Sequence, residues 1–268
     1  MFSRLFGVSS SGFSSSGFSP STLQYAPATL RNDKEIVLLA VNNHGGELKF
    51  ASDELKDDDE VVRAAINQRG SAIKHASKRI LNDKTIVLEA VTKSGRALES
   101  VSANMKNDKE VVSVAAKHSG YNFQFASNAL KDDQEFVLEL LNAKSDLFEY
   151  ISSRLQQQRQ IVLAAVVLNA YHLDRVSRQF RDDKEIIMAG MHNGTSLKFA
   201  SDRLKNDKEV VLQALKNGGN LENASSRLKD DKSFILEVAQ IAPYQLYNAS
   251  YRLRSDKEIA LVAAKANG

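Results

Sequence analysis

The sequence predicts an all-α fold: an α-solenoid of about ten 24–25-residue helix-turn-helix repeats. Three observations carry this. The segment "RLKNDKEVVLQAL" at 203–215 recurs with small changes at 29–41, 79–91 and 227–239. Apolar residues follow helical spacing, and nothing alternates with the period of two that strands need. The register also holds along the chain. Units start at Leu23, Leu48, Ile73, Leu98, Phe123, Phe148, Leu173, Leu197, Leu221 and Leu246. The steps are 25 residues, falling to 24 from Leu173 to Leu197 and from Leu197 to Leu221. A fixed period of this length signals stacked units that cannot bury their faces alone.

Each unit opens with apolar residues at positions 1, 4 and 8, as in Leu48, Ala51 and Leu55. That spacing is one stripe of a helix of about 8 residues. Position 5 is Ser in nine units and Pro27 in the first. Beside a frequent Ala at position 4, it forms a small-residue notch for close helix approach. A row of nucleophiles would need a base at fixed spacing, and none accompanies the serines.

A polar turn follows. Position 10 is Asn or Asp in eight units, Asn32, Asp57, Asn82, Asn107, Asp132, Asp182, Asn206 and Asp230, and position 13 is Glu in seven. This reads as an N-cap with a capping-box Glu. Position 11 is Asp in nine units. Its charge favours the positive helix start, or it caps directly if the helix begins one residue later. The rival is a metal or acid-base site. Equivalent carboxylates in stacked units sit about 10 Å apart, the spacing of packed helices, too far to share one ion.

The second helix, about 11 residues, carries apolar residues at positions 14, 15, 18 and 19, usually with 16. In unit eight these are Val210, Val211, Ala214, Leu215 and Leu212. A face that wide suits a helix with neighbours on both sides. Gly45, Gly70, Gly95, Gly120 and Gly219 then close their units, where a left-handed residue ends a helix. Unit six breaks the pattern. Gln157 and Gln158 replace the cap, which predicts a weakened turn and a nearly continuous helix. Unit one, with Pro27, and unit ten, with Ala260 and Ala264, have the atypical ends of capping repeats.

Residues 23–268 thus form a single repeat array. Segment 1–22, rich in Ser, Gly and Phe with Arg4 its only charged side chain, reads as a disordered tail. Its composition also suits a bacterial contact-dependent export signal. The chain has 268 residues, 43% hydrophobic and 26% charged, with net charge +3. No global polyanion-binding signature follows from that charge. There is no Cys, so thiolate metal sites and thiol nucleophiles are excluded. No apolar run approaches the ~20 residues that cross a membrane. His44, His75, His118, His172 and His192 lack ligand spacing and read as surface residues. No phosphate-binding or nucleophile-elbow motif occurs. The sequence therefore points to no catalytic residues, no metal and no cofactor.

The pattern L-x-x-A-S-x-x-L-(K/R)-x-D-K-E-V-V-L-x-A-V resembles the domain of unknown function 4116 family over about 23–268. The resemblance implies bacterial origin, often host-associated, and repeat architecture in which two hairpins count as one domain. It implies no established activity. Unit six departs from it.

Function in such an array resides in exposed positions that vary. Position 9 is basic in eight units, and in units eight to ten Arg at position 7 joins it. The pairs are Arg203 with Lys205, Arg227 with Lys229 and Arg252 with Arg254. Stacking aligns them into a stripe, the candidate partner-binding site. Compensation of helix ends is the competing reading of position 9. Position 3 is aromatic in Tyr25, Phe50, Phe125, Tyr150 and Phe199, which reads as packing between units before binding anchors. The leading expectation is a non-enzymatic protein-protein interaction scaffold, cytoplasmic or exported into a host cell as a bacterial effector. The alternatives are a nucleic-acid-binding solenoid using the basic stripe and a regulatory subunit of a partner enzyme.

Overall fold

The computed structural model describes residues 23–143 and 146–266, so the 1–22 tail lies outside the described residues. Two compact units are present, Met1–Asp133 and Gln134–Gly268. Within each, the regular elements of the described residues are all helical, and each repeat stacks on the next. The fold is an all-α repeat solenoid.

The repeat has three segments where the spacing predicts two. In the fourth repeat a 3₁₀ turn, Gly95–Glu99, is followed by a one-turn helix, Ala103–Lys106, and a long helix, Lys109–His118. In the eighth, Thr195–Phe199, Asp202–Lys205 and Lys208–Lys216 repeat the scheme. The expected helix of about 8 residues is broken in its middle. Ala200 (φ −60°, ψ 154°) and Ser201 (φ −64°, ψ 162°) are both extended. Position 5 Ser leaves the helix because it has better partners outside it. Its hydroxyl accepts from the position 8 amide, as Leu204 N–H to Ser201 Oγ at 3.2 Å. Its own N–H donates to the position 9 carbonyl of the preceding repeat. Ser52, Ser77 and Ser102 do so to Arg31, Lys56 and Leu81 at 2.9 Å. In the second unit, Ser201 and Ser225 do so to Arg181 and Lys205, also at 2.9 Å. Ser is thus a cap and a cross-link, not only a small-residue notch.

The N-cap of the long helix is the position 11 Asp, one residue beyond the position 10 capping box. Asp108 Oδ1 accepts from the Glu110 and Val111 amides at 3.0 and 3.1 Å. Asp33, Asp58, Asp83, Asp183, Asp207 and Asp231 cap in the same way. Position 10 is instead the C-cap of the one-turn helix, and its side chain receives the next repeat's Ser hydroxyl. Ser102 Oγ donates to Asn82 Oδ1 at 2.7 Å and Ser225 Oγ to Asn206 Oδ1 at 2.7 Å. Ser77 to Asp57 and Ser201 to Asp182 form the same rung.

The Lys at position 12 completes the junction. Lys84 pairs with Asp108 and Glu110 of the following repeat, both at 2.9 Å. Lys34 does the same to Asp58 and Glu60 at 2.8 Å. In the second unit Lys184 reaches Asp207 at 2.9 Å and Glu209 at 2.7 Å, and Lys232 reaches Asp256 and Glu258 at 2.8 Å. These Glu residues face the neighbour's Lys, which is why they do not fold back on their own caps.

Behind this polar edge lies the core. Positions 14, 15, 18 and 19 are buried as the pattern predicts, for example Val111, Val112, Ala115 and Ala116. Position 16 is only half-buried, as at Leu212. The closing glycines act by close approach. A Cβ on Gly45 would lie 2.4 Å from the Ala65 carbonyl of the next long helix, and one on Gly70 2.6 Å from that of Ala90. Their φ is not positive. Left-handed glycines are Gly194 (φ 69°) and Gly218 (φ 82°), in the two repeats whose step is 24 residues. There the long helix is cut short, at Ala189 and Lys216, and the left-handed residue restores the register.

Repeat six does break, at Leu155–Gln157 and Gln158 (φ −97°, ψ 125°), before the helix Arg159–Leu168. The nearly continuous helix does not form, because stacked neighbours impose the break. Gln158 makes no side-chain cap, as its chemistry predicts. Its neighbour shows the cost. The Ser177 hydroxyl is buried with no partner. The charged rung survives, with Arg159 paired to Asp183 at 2.7 Å and Glu185 at 2.5 Å.

Asp108→Ala removes a cap and an ion-pair acceptor together, and should cost about 1–2 kcal/mol in urea unfolding. Glu110→Ala, which loses only an exposed pair, should change stability by less than about 0.5 kcal/mol. A larger effect at Glu110 would restore the capping box. Stability should also fall in acid. Arg159, Lys208 and Lys232 hold the Asp183, Asp231 and Asp256 carboxyls below their ordinary 3.8, and serine hydroxyls do the same to Asp57, Asp182 and Asp230. A depressed carboxylate stabilises fully above its unfolded value and loses that stabilisation as pH falls through its folded one. The melting temperature should therefore drop below pH ~4; a level profile down to pH ~2 would show that the rungs contribute nothing.

Candidate functional site

The six residues of the basic stripe occupy matching positions on three consecutive one-turn helices, Asp202–Lys205, Ser226–Lys229 and Tyr251–Arg254. The structure divides them. Arg203 is turned back on the preceding repeat, with Nε 3.0 Å from Asp182 Oδ1 and Nη2 2.6 Å from the Asp182 carbonyl. Arg252 repeats this on Asp230 at 3.2 and 2.9 Å. These two arginines reinforce the junction. Arg227 faces the neutral Asn206 at the equivalent place and makes no ion pair among the described residues.

Position 9 has its own structural use. Arg31 donates to the Ala26 and Gln24 carbonyls at 2.8 and 2.9 Å, Lys131 to Gln124 at 2.6 Å and Lys229 to Glu222 at 3.2 Å. The cation ties down the carbonyls of its own 3₁₀ turn. Arg254 instead lies over the Tyr251 ring, 5.8 Å from its centroid. Lys205 is half-buried and bonded to neither, and it lines a cleft with Arg181.

Exposed tyrosines also stand outside position 3. Tyr244 and Tyr247 are 62% exposed and Tyr251 80%, all within ten residues of Arg254. Tyr171 is 61% exposed. The position 3 aromatics divide: Phe50, Phe125 and Phe199 are half-buried, whereas Tyr25 is 78% exposed. Tyr121, Tyr171 and Tyr244 stand two residues before position 1, on the 3₁₀ turns. Their signal in the sequence is a polar-ended aromatic close behind the long helix, outside the apolar stripes.

The residue just before position 1 is also special. The buried polar residues Glu47, Asn122, His172, Ser196 and Gln245 all fall there. Glu47 Oε2 accepts from the Leu23 amide of the preceding repeat at 2.8 Å, and Gln245 Oε1 from Leu221 at 3.2 Å. His172 corrects the surface reading of the histidines. It is 4% exposed, with Nε2 2.7 Å from Asp146 Oδ1 and its ring 5.0 Å from Phe148. The interior of the stacked turns takes whatever side chain stands at this register, and an apolar-only pattern cannot see it. His44, His118 and His192 are exposed. His75 is half-buried, and burial, with Lys74, Lys49, Lys56 and Arg69 around it, pushes its pKa down. Among the described residues no group of three or more His, Asp or Glu is arranged to hold a metal ion.

Two clefts lie side by side in the second unit, of about 610 and 530 Å³. They share Arg181, Phe199 and Ala200. The second is walled by Tyr171, His172, Lys198 and Lys205.

The family profile described as Domain of unknown function (DUF4116) matches residues 17–56, 37–81, 58–106, 83–123, 108–156, 191–229 and 231–268. The chain belongs to this family. DUF4116 matches overlap through the first five repeats, then pass over 157–190. That gap holds Gln157, Gln158 and Ser177, where the serine rung fails, and most of the residues that line the clefts. No curated protein and no solved structure matches the chain.

The division of the stripe has a measurable consequence. Arg203→Ala should lower stability by roughly 0.5–1 kcal/mol, because it breaks a bidentate junction contact. Arg227→Ala, with no such contact, should leave the unfolding midpoint unchanged. Equal losses in the two variants would reject the distinction.

Proposed function

We propose that this DUF4116 chain is a non-enzymatic protein-protein interaction scaffold whose partner docks on the tyrosine-rich edge of the last repeat. The observation that carries the reading is the exposure of Tyr244, Tyr247 and Tyr251, with Arg254 over the Tyr251 ring. Tyr and Arg are the side chains that dominate binding energy at interfaces, since they offer large rigid area at small entropic cost. A fold has no stability reason to leave three large rings in water on one short stretch. The remaining chemistry-bearing residues support the same reading. The recurring Asp, Lys, Glu and Ser side chains are engaged in capping and repeat stacking, which leaves the variable side chains to select a partner.

The test replaces Tyr247 or Tyr251 with a photo-crosslinking phenylalanine analogue, and Leu39, exposed in the first unit, as a control position. Irradiation in bacterial and host-cell lysates should give one discrete protein adduct from Tyr247 and Tyr251 and none from Leu39. The adduct should vanish when Tyr244 and Arg254 are changed to Ala, without a shift in melting temperature. Nucleic acid in the adduct in place of protein, or the same adducts from Leu39, would overturn the reading.

A further inference from the structure

The twin clefts of the second unit are distinct from the tyrosine edge and differ in chemistry. Arg181 and Lys205 hold the same position 9 in adjacent repeats, and both line the cleft of about 530 Å³. In three other repeats this position donates to the carbonyls of its own 3₁₀ turn, at Arg31, Lys131 and Lys229, and Lys56 pairs with Asp53. Arg181 and Lys205 make no such bond and no ion pair among the described residues, although both are half-buried. Neither cation has a protein acceptor among the described residues, so both are free to form charge-assisted hydrogen bonds to an incoming anion.

Beside them stands an aromatic wall. Tyr171 and Phe199 meet edge to face with centroids 5.8 Å apart, and Lys198 Nζ lies 5.7 Å from the Phe199 centroid. Tyr171 keeps most of its ring in solvent. Two acids also line the cleft, Glu149 and Asp174. Glu149 is already held by Arg175 at 3.2 Å. Asp174 is then outnumbered by Arg181, Lys198 and Lys205, and the charge left for a ligand is positive. The cleft draws Tyr171 and Arg181 from the stretch 157–190 that the DUF4116 profile passes over, Lys198 and Phe199 from the 3₁₀ turn that follows, and Lys205 from the next one-turn helix.

We propose that this cleft binds a nucleoside phosphate, with its planar base against Tyr171 and its phosphate between Arg181 and Lys205. A base supplies the π-face that a stacking platform needs, and the phosphate supplies the acceptors that the two cations lack. An acidic peptide satisfies the cations and leaves the aromatic wall unused. The same chemistry is offered by a free nucleotide and by the end of a single-stranded nucleic acid.

Calorimetric titration of the full chain at low salt separates these cases, with AMP, a short 5′-phosphorylated oligouridine and a polyglutamate peptide as probes. One site per chain is expected for AMP, for the oligonucleotide or for both. Comparable affinity for the two identifies a free nucleotide as the ligand, and binding of the oligonucleotide alone identifies a strand. Arg181→Ala with Lys205→Ala should weaken binding at least about tenfold. Tyr171→Ala, at an exposed position, should weaken it several-fold without altering the melting temperature, and it keeps the test open should the double variant unfold. Binding of neither nucleotide probe, polyglutamate binding as tightly as either, or unchanged affinity in Tyr171→Ala would overturn the proposal.

Discussion

A serine hydroxyl ties most repeats to the one before. At position 5 it accepts from its own one-turn helix and donates to the preceding repeat, while its backbone N–H reaches that repeat's carbonyl, as at Ser102. A hydroxyl has one proton to give and two lone pairs to fill, so a single atom can serve both partners. The extended pair at positions 4 and 5 exists to bring that atom to the junction. The broken first helix, the 3₁₀ turn before it and the placement of position 10 as an acceptor all follow. Where the acceptor is lost, at Gln157, the hydroxyl of Ser177 is left buried and unpaired. A buried unsatisfied hydroxyl costs on the order of 1–3 kcal/mol. The surrounding stack holds the conformation regardless.

The Asp-Lys-Glu sequence is a second, directional device. Asp divides its two oxygens, one for the amides of its own helix and one for the Lys of the repeat before. Lys34, Lys84, Lys184 and Lys232 reach forward, and Glu joins from the far side. Each such pair is exposed and contributes little by itself, about 0–1 kcal/mol. Their value lies in register, because a junction shifted by one residue would set Lys against Lys. The second repeat tests that logic. It carries Asp59 where Lys belongs, and Arg79 of the next repeat turns to both Asp57 and Asp59. The charge is inverted on one side of the junction and answered on the other.

Much of this was legible in the sequence, and the reason is periodicity. The ten registers, the apolar face at positions 14, 15, 18 and 19 and the helical class are properties of a single chain read against itself. The seat of the cap was legible only as a choice between positions 10 and 11, since Asn and Asp can cap from either. What decided it was a partner in another repeat, which no local pattern contains. The same holds for Gly45 and Gly70, chosen by a neighbouring carbonyl and not by a left-handed φ. His172 and Glu47 were invisible because the 3₁₀ turns stack their inner residues irrespective of polarity. The basic stripe was read from position alone. Arg203 and Arg252 share it in sequence with Arg227, yet differ from it by the Asp or Asn that stands one repeat earlier.

That last distinction explains why chemistry should gather where the array is least regular. In a regular repeat nearly every polar side chain at the junction has a designated partner, so little is left to bind anything else. Replacing one partner releases another. Asn206 in place of Asp leaves Arg227 without a carboxylate. Arg181 and Lys205 make no bond to the carbonyls of their own turns and line the cleft beside Tyr171. The step of 24 residues, absorbed at Gly194, falls in the same place. A ladder of this kind turns single substitutions into available charge at a known register of the repeat. A family sharing the ladder could therefore diverge in ligand without altering the stack.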